Sequence, residues 1–227
     1  MKIGIDCGHT LSGYGTGAKG CGFREEKLTR ELGEMVMELL QKEGHVVYDC
    51  TVDSSYDNAQ QLKDRVIKAN RQTLDLFVSI HFNACVNDEI GDGTTTGTEV
   101  LIYSDTSKSK PYAKRIVDNI SKLGFKNRGV KTSNAYVLKN TSAPALLIET
   151  CFIDDKDDMD IYIKSSKMVA KAIVEGILDK SIVEETKTPR IGYYRVLAGS
   201  YKDKENAIKR QMELINKGFQ ASIVYYE

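Results

Sequence analysis

The chain has 227 residues, 41% of them apolar and 28% charged, with Lys+Arg and Asp+Glu balanced at 32 each. That is enough for one sizeable domain and a small appendage, and the composition excludes disordered, collagen-like and membrane-embedded classes. Zero net charge also argues against a general electrostatic nucleic-acid binder, which needs a basic excess.

Lys2–Asp6 reads as a short strand, and "MKIGIDCGHT" lacks the long apolar segment of a signal peptide. The product is therefore expected in the cytosol until something releases it. A glycine-rich loop with Gly13, Gly15, Gly17, Gly20 and Gly22 follows. Glu25–Glu43 is predicted helical, because Leu28, Leu32, Met35, Val36, Leu39 and Leu40 fall on one face and Gly44 suits a helix end. His45–Cys50 is a strand, 58–73 a helix, and Leu76–His81 a strand apolar on both faces, as in the middle of a covered sheet. Asn87–Thr98 is a polar Gly/Thr loop, Glu99–Tyr103 a strand, and 111–123 a helix closed by Gly124. Ala135–Leu138 and Ala145–Phe152 are read as strands, and 165–179 as the helix that ends this part.

Strands alternating with helices predict an α/β fold: a mostly parallel or mixed sheet with helices on both faces. Residues 1–178 form the expected main domain. The charged, aperiodic stretch 179–190, "DKSIVEETKTPR", is read as a linker. Residues 191–227 suggest a small βαβ unit: strand Tyr194–Ala198, helix 204–217 with Ile208, Met212 and Ile215 inward, strand Phe219–Tyr226.

In such sheets ligands sit beyond the carboxyl ends of the strands, where His9, His81, Asn83 and Glu149 fall. If His9, Glu25 and His81 meet, two imidazoles and a carboxylate make a catalytic zinc ligand set with a fourth position for water. Glu149 would then move the proton from that water to a leaving amine. Each residue has a plainer alternative. His9 is equally a loop histidine bonded to backbone, His81 a satisfied core histidine, and Glu25 a carboxylate favourable at a helix N-terminus. Glu149 inside "ALLIETCF" is harder to dismiss, since a buried carboxylate without a partner is costly. His45 reads as structural. Gly15–Gly20 matches G-x-G-x-x-G, but it neither follows its strand directly nor opens its helix, so it is read as a rim over a cleft rather than a nucleotide site. The five cysteines, Cys7, Cys21, Cys50, Cys85 and Cys151, have no C-x-x-C spacing and read as reduced thiols.

Taken together, "KIGIDCGHT", "GFREEKLTRELGEMVMELLQKEGH", "LFVSIHFNA" and "PALLIETCF" resemble the zinc-dependent N-acetylmuramoyl-L-alanine amidases of the amidase-3 family, over residues 1 to about 178. The resemblance implies Zn2+ held by His9, Glu25 (with Glu26 as the fallback) and His81, with Glu149 as the catalytic glutamate. It implies peptidoglycan as partner, cut between N-acetylmuramic acid and L-alanine, with no nucleic acid and no membrane. Asn83 belongs to the histidine motif, and Arg128 in "NRGVK" is offered as a substrate contact. Thr10 and Leu11 depart from the common Gly-His-Gly-Gly opening, which puts the shape of that loop in question. The tail resembles one half of a SPOR domain, which binds glycan stripped of stem peptides. So short a unit suggests pairing in a homodimer. A phage endolysin freed by a holin is the expected setting. A sporulation or mother-cell-lysis amidase, or another zinc peptidoglycan hydrolase such as a carboxypeptidase, is the alternative.

Overall fold

The computed structural model describes residues 1–182 and 198–225. The chain divides into two compact units, Met1–Val183 and Glu184–Glu227. In the first unit the elements run β1 (Lys2–Cys7), β2 (Ser12–Gly13), β3 (Lys19–Gly20), β4 (Phe23–Arg24), α1 (Glu25–Lys42), β5 (Val46–Asp49), β6 (Ser54–Ser55) and α2 (Asn58–Asn70). They continue with β7 (Leu76–Asn83), β8 (Thr98–Ile102), α3 (Lys110–Ser121), β9 (Asn127–Thr132), α4 (Tyr136–Asn140), β10 (Ala145–Phe152) and α5 (Lys156–Leu178).

The central sheet has the order β5-β1-β7-β10-β8-β9. All neighbours are parallel except β8, which runs antiparallel to β10. The expected α/β architecture, a mixed sheet covered on both faces, is what the chain forms. On one face Ile3, Ile5, Val78, Ile80, Val100 and Ile148 pack against α1, α3 and α5. On the other, Phe77 and Leu147 meet Val66 and Ala69 of α2 and Val137 and Leu138 of α4. The i, i+4 series Leu28, Leu32, Val36 and Leu40 is buried along α1, each side chain contributing on the order of 2 kcal/mol. Gly44 ends that helix at φ +81°.

In the first unit two expectations need correction and one strand was not foreseen. Residues 135–138 are not a strand: Tyr136–Asn140 is a short helix. Burying Val137 and Leu138 side by side against the second core overrides the extended preference of "AYVL". The last helix begins at Lys156 rather than near 165, because the Asp155 side chain accepts the Asp158 N–H and so caps a polar first turn that the apolar pattern does not reveal. Residues 127–132, not assigned as a strand from the sequence, form edge strand β9.

In the second unit α6 (Lys204–Asn216) is capped by Asp203, which accepts the Glu205 N–H. Ile208, Met212 and Ile215 are exposed rather than inward. Residues 219–225 form no strand, since no second segment among the described residues takes their backbone hydrogen bonds. The expected strand 194–198 lies almost wholly outside the described residues, as does most of the expected linker. Among the described residues no helix is long and apolar enough to cross a membrane.

Candidate metal centre

The site forms where β1 and β7 end side by side. Cys7 pairs with Ile80, and the Gly8 N–H continues the pairing to the Ile80 carbonyl at 2.8 Å. His9 then turns the chain with φ +65°, a left-handed conformation that costs a non-glycine residue about 1–3 kcal/mol. A Cβ on Gly8 would lie 2.4 Å from the His81 ring, so the glycine is what lets the two segments close on each other.

Glu25, the first residue of α1, lies between the two imidazoles. Its Oε2 is 3.0 Å from His9 Nε2 and its Oε1 is 3.1 Å from His81 Nδ1. The three potential ligand atoms all lie within 4.8 Å of one another. The carboxylate also accepts the Ala18 N–H at 2.9 Å and the Phe82 N–H at 3.0 Å. His9 Nδ1 meets the Gly15 carbonyl at 3.0 Å, which orients the ring and leaves Nε2 for the centre. The glycine-rich segment therefore orients His9 and Glu25. Glu26, the fallback, is turned away and pairs with Arg24 at 2.5 Å. His45 binds the N-terminal amine at 3.0 Å, a structural role.

Burial opposes the charge on Glu25, yet hydrogen bonds from His81 and His9 outweigh it and hold the carboxyl far below the usual range. Burial likewise works against charged His9, and the Glu25 hydrogen bond and charge raise it on balance. Both effects say the same thing: a carboxylate with a nitrogen at each oxygen is a place built for positive charge. The donor set of two imidazoles and one carboxylate suits a first-row divalent ion.

Glu149 stands beside this group. On β10 it is in register with His81 of β7 on one side and Glu99 of β8 on the other. Its Oε2 is buried with no hydrogen-bond partner among the described residues. Burial first, then the negative charges of Glu25 and Glu99, push the carboxyl up to about 8.

Asn83 and Arg128 do not join the histidine group; both converge on Glu99. Asn83 Nδ2 donates to Oε1 at 3.3 Å, and Arg128 Nε to Oε2 at 2.7 Å. Lys131 donates to the same Oε2 at 2.5 Å. Burial raises Glu99, but its two cations prevail and keep it ionised. Glu99 and Lys131 were not singled out from the sequence. The available signal for Glu99 was the one that marked Glu149, an acid set in an apolar strand. A second acidic group, Asp88, Asp92 and Asp157, has its carboxylates occupied by the amides of Gly91, Thr94 and Gly93 and offers no imidazole.

Comparison with known proteins places the chain in a family. The family described as N-acetylmuramoyl-L-alanine amidase matches residues 3–179. An uncharacterized protein of Clostridium perfringens is 38% identical over 191 residues, 82% of this chain. The chain spans 54% and 53% of the lengths of two such curated relatives from that organism, about half. The sporulation-specific N-acetylmuramoyl-L-alanine amidase of Bacillus subtilis is 32% identical over 228 residues, covering 99% of this chain and 84% of the relative. Among solved structures, the catalytic domain of the CD27L endolysin targeting Clostridia Difficile superimposes with a TM-score of 0.71 at 34% identity, covering 81% of this chain and 99% of that one.

Proposed function

This chain belongs to the N-acetylmuramoyl-L-alanine amidase family, and from that premise we propose that it hydrolyses the amide between N-acetylmuramic acid and L-alanine in peptidoglycan, using zinc held by His9, Glu25 and His81. The observation that carries the reading is the convergence of those three side chains, with the unpartnered Glu149 carboxyl in the adjacent register position. One nitrogen of each imidazole and a Glu25 carboxylate oxygen would hold the ion; these atoms lie within 4.8 Å of one another, and the donor set is one that zinc takes.

A zinc ion held there supplies Lewis acidity, polarising the scissile carbonyl and acidifying water. Glu149 takes the proton from the attacking water and delivers it to the leaving nitrogen of L-alanine. Water is thereby added across the C–N bond, giving a free lactyl carboxyl on the sugar and a free amine on the peptide. Its raised pKa suits Glu149 to both halves of that transfer. Arg128 and Asn83, held through Glu99, shape the wall beside Glu149, and Arg128, with 28% of its side chain exposed, is the substrate contact on that side.

The expected setting is wall lysis from within, as by an endolysin. A sporulation role is the second reading, favoured by the alignment with the sporulation-specific amidase over 99% of this chain, its second unit included. We read that second unit as a half-length SPOR-like module that binds denuded glycan and pairs with its copy in a homodimer.

Purified protein and its Glu149→Ala variant, each with and without chelator, test the chemistry on Gram-positive cell walls. Lysis by the native protein with new N-terminal L-alanine is expected. Chelation should abolish it reversibly, and Glu149→Ala should lower it by at least about 100-fold. Cleavage elsewhere in the peptide would indicate a carboxypeptidase, and full lysis by Glu149→Ala would remove the mechanism.

A further inference from the structure

We infer that Arg30, together with Arg65, is a positioning residue of the metal centre, fixing the backbone that presents His9 against the helix that presents Glu25. The inference rests on the zinc reading above and assigns the cause of its geometry. Three successive carbonyls, from the last residue of β1 onward, turn toward two guanidinium groups. Arg65 Nη1 takes the Cys7 carbonyl at 2.7 Å. Arg30 Nη1 takes the Gly8 carbonyl at 2.6 Å, and the Thr29 hydroxyl reaches the same oxygen at 3.0 Å. Arg30 Nη2 takes the His9 carbonyl at 2.7 Å, and Arg65 Nη2 bonds to it as well. Both guanidiniums also bind the Val52 carbonyl, at 3.2 and 3.0 Å, tying the turn to the segment after β5.

The consequence is mechanical. His9 has no glycine-like freedom to rest at φ +65°, so its ring stays on Glu25 only while the preceding backbone is held. Arg30 lies on α1 itself, little more than a turn after Glu25, so one helix carries both a ligand and the clamp on the other ligand. Arg65 is 2% exposed and neutralised by Asp6, which in turn accepts from Ser79. Among the described residues Arg30 is paired only with Asp53, whose side chain is 66% exposed. Arg30 can therefore be altered without stranding a buried charge. A guanidinium spans two carbonyls at once; an ammonium cannot do so in the same geometry.

The test measures zinc affinity in the full chain by competition with a chromophoric chelator, beside melting of the chelated and zinc-loaded forms. Arg30→Met is expected to weaken zinc binding about 10- to 100-fold, the range for groups that orient a ligand. Arg30→Lys is expected to weaken it less, and it is the deciding variant if Arg30→Met does not fold. Unchanged zinc affinity in the deciding variant, with equal loss of melting temperature in both forms, overturns the inference and leaves Arg30 a purely structural residue. Zinc affinity is read without any amide cleavage. Native protein that binds zinc but releases no N-terminal alanine would sink the amidase reading and leave this one standing.

Discussion

Gly8 and Glu149 show how closely the centre depends on single atoms. The His81 ring occupies the space that a Cβ on Gly8 would fill. Gly8→Ala is expected to displace that ring by about an ångström and lower wall-lysis rates on the order of 100-fold, with the far-UV circular dichroism unchanged. Glu149 makes a prediction about pH. Its folded pKa, about 8, lies above the 4.5 of an ordinary glutamate, so the folded state binds more protons than the unfolded one between those values. Its stabilising contribution is complete below about 4.5 and lost as pH rises through 8. Metal-free Glu149→Gln should thus melt with the native protein at low pH and above it at pH 8 and beyond. A bound cation favours the carboxylate and moves that window downward. If Glu149 is the proposed base it must be ionised, so hydrolysis should rise with pH across that lowered window.

At the scale of elements, α5 is held to the sheet by its cap. Asp155 accepts from Asp158 N–H at its own helix and from the Thr96 N–H and hydroxyl before β8. Asp155→Ala removes the cap and strands the Thr96 amide, and should cost about 2 kcal/mol in urea unfolding. The polar run "DDKDDMD" concealed that helix start, because its signal is a cap rather than an apolar stripe. Helix α1 and strands β7 and β10 were legible for the opposite reason, since burial imposes an apolar stripe on the helix and near-continuous apolar runs on the two strands. His9, His81 and Glu149 were legible because parallel strands bring their carboxyl ends together. Glu99 escaped that logic. Strand β8 runs antiparallel to β10, so it is the amino-terminal start of β8 that reaches the site, and strand direction is decided by tertiary pairing. Arg30 and Arg65 escaped it too, since their partners are carbonyl oxygens that every residue possesses.

At the scale of the molecule, His9, Glu25, His81 and Glu149 all belong to the first unit, and the matched family covers residues 3–179 of it. Residues 1–182 alone are expected to release L-alanine from soluble muropeptides at the rate of the full chain, while sedimentation with denuded glycan falls sharply. Equal sedimentation would remove the proposed wall-binding role of the second unit. The strand order carries a consequence for assembly in time. Strand β7 joins β1 to β10, so Ile3 waits for Leu76 and Phe77 waits for Ala145 before the sheet can close. Pairings so distant along the chain are slow, in the millisecond-to-second regime of high contact order. On the ribosome, His9 and Glu25 emerge long before His81. If those three side chains hold the proposed ion, its uptake would therefore follow the β1–β7 pairing rather than nucleate it.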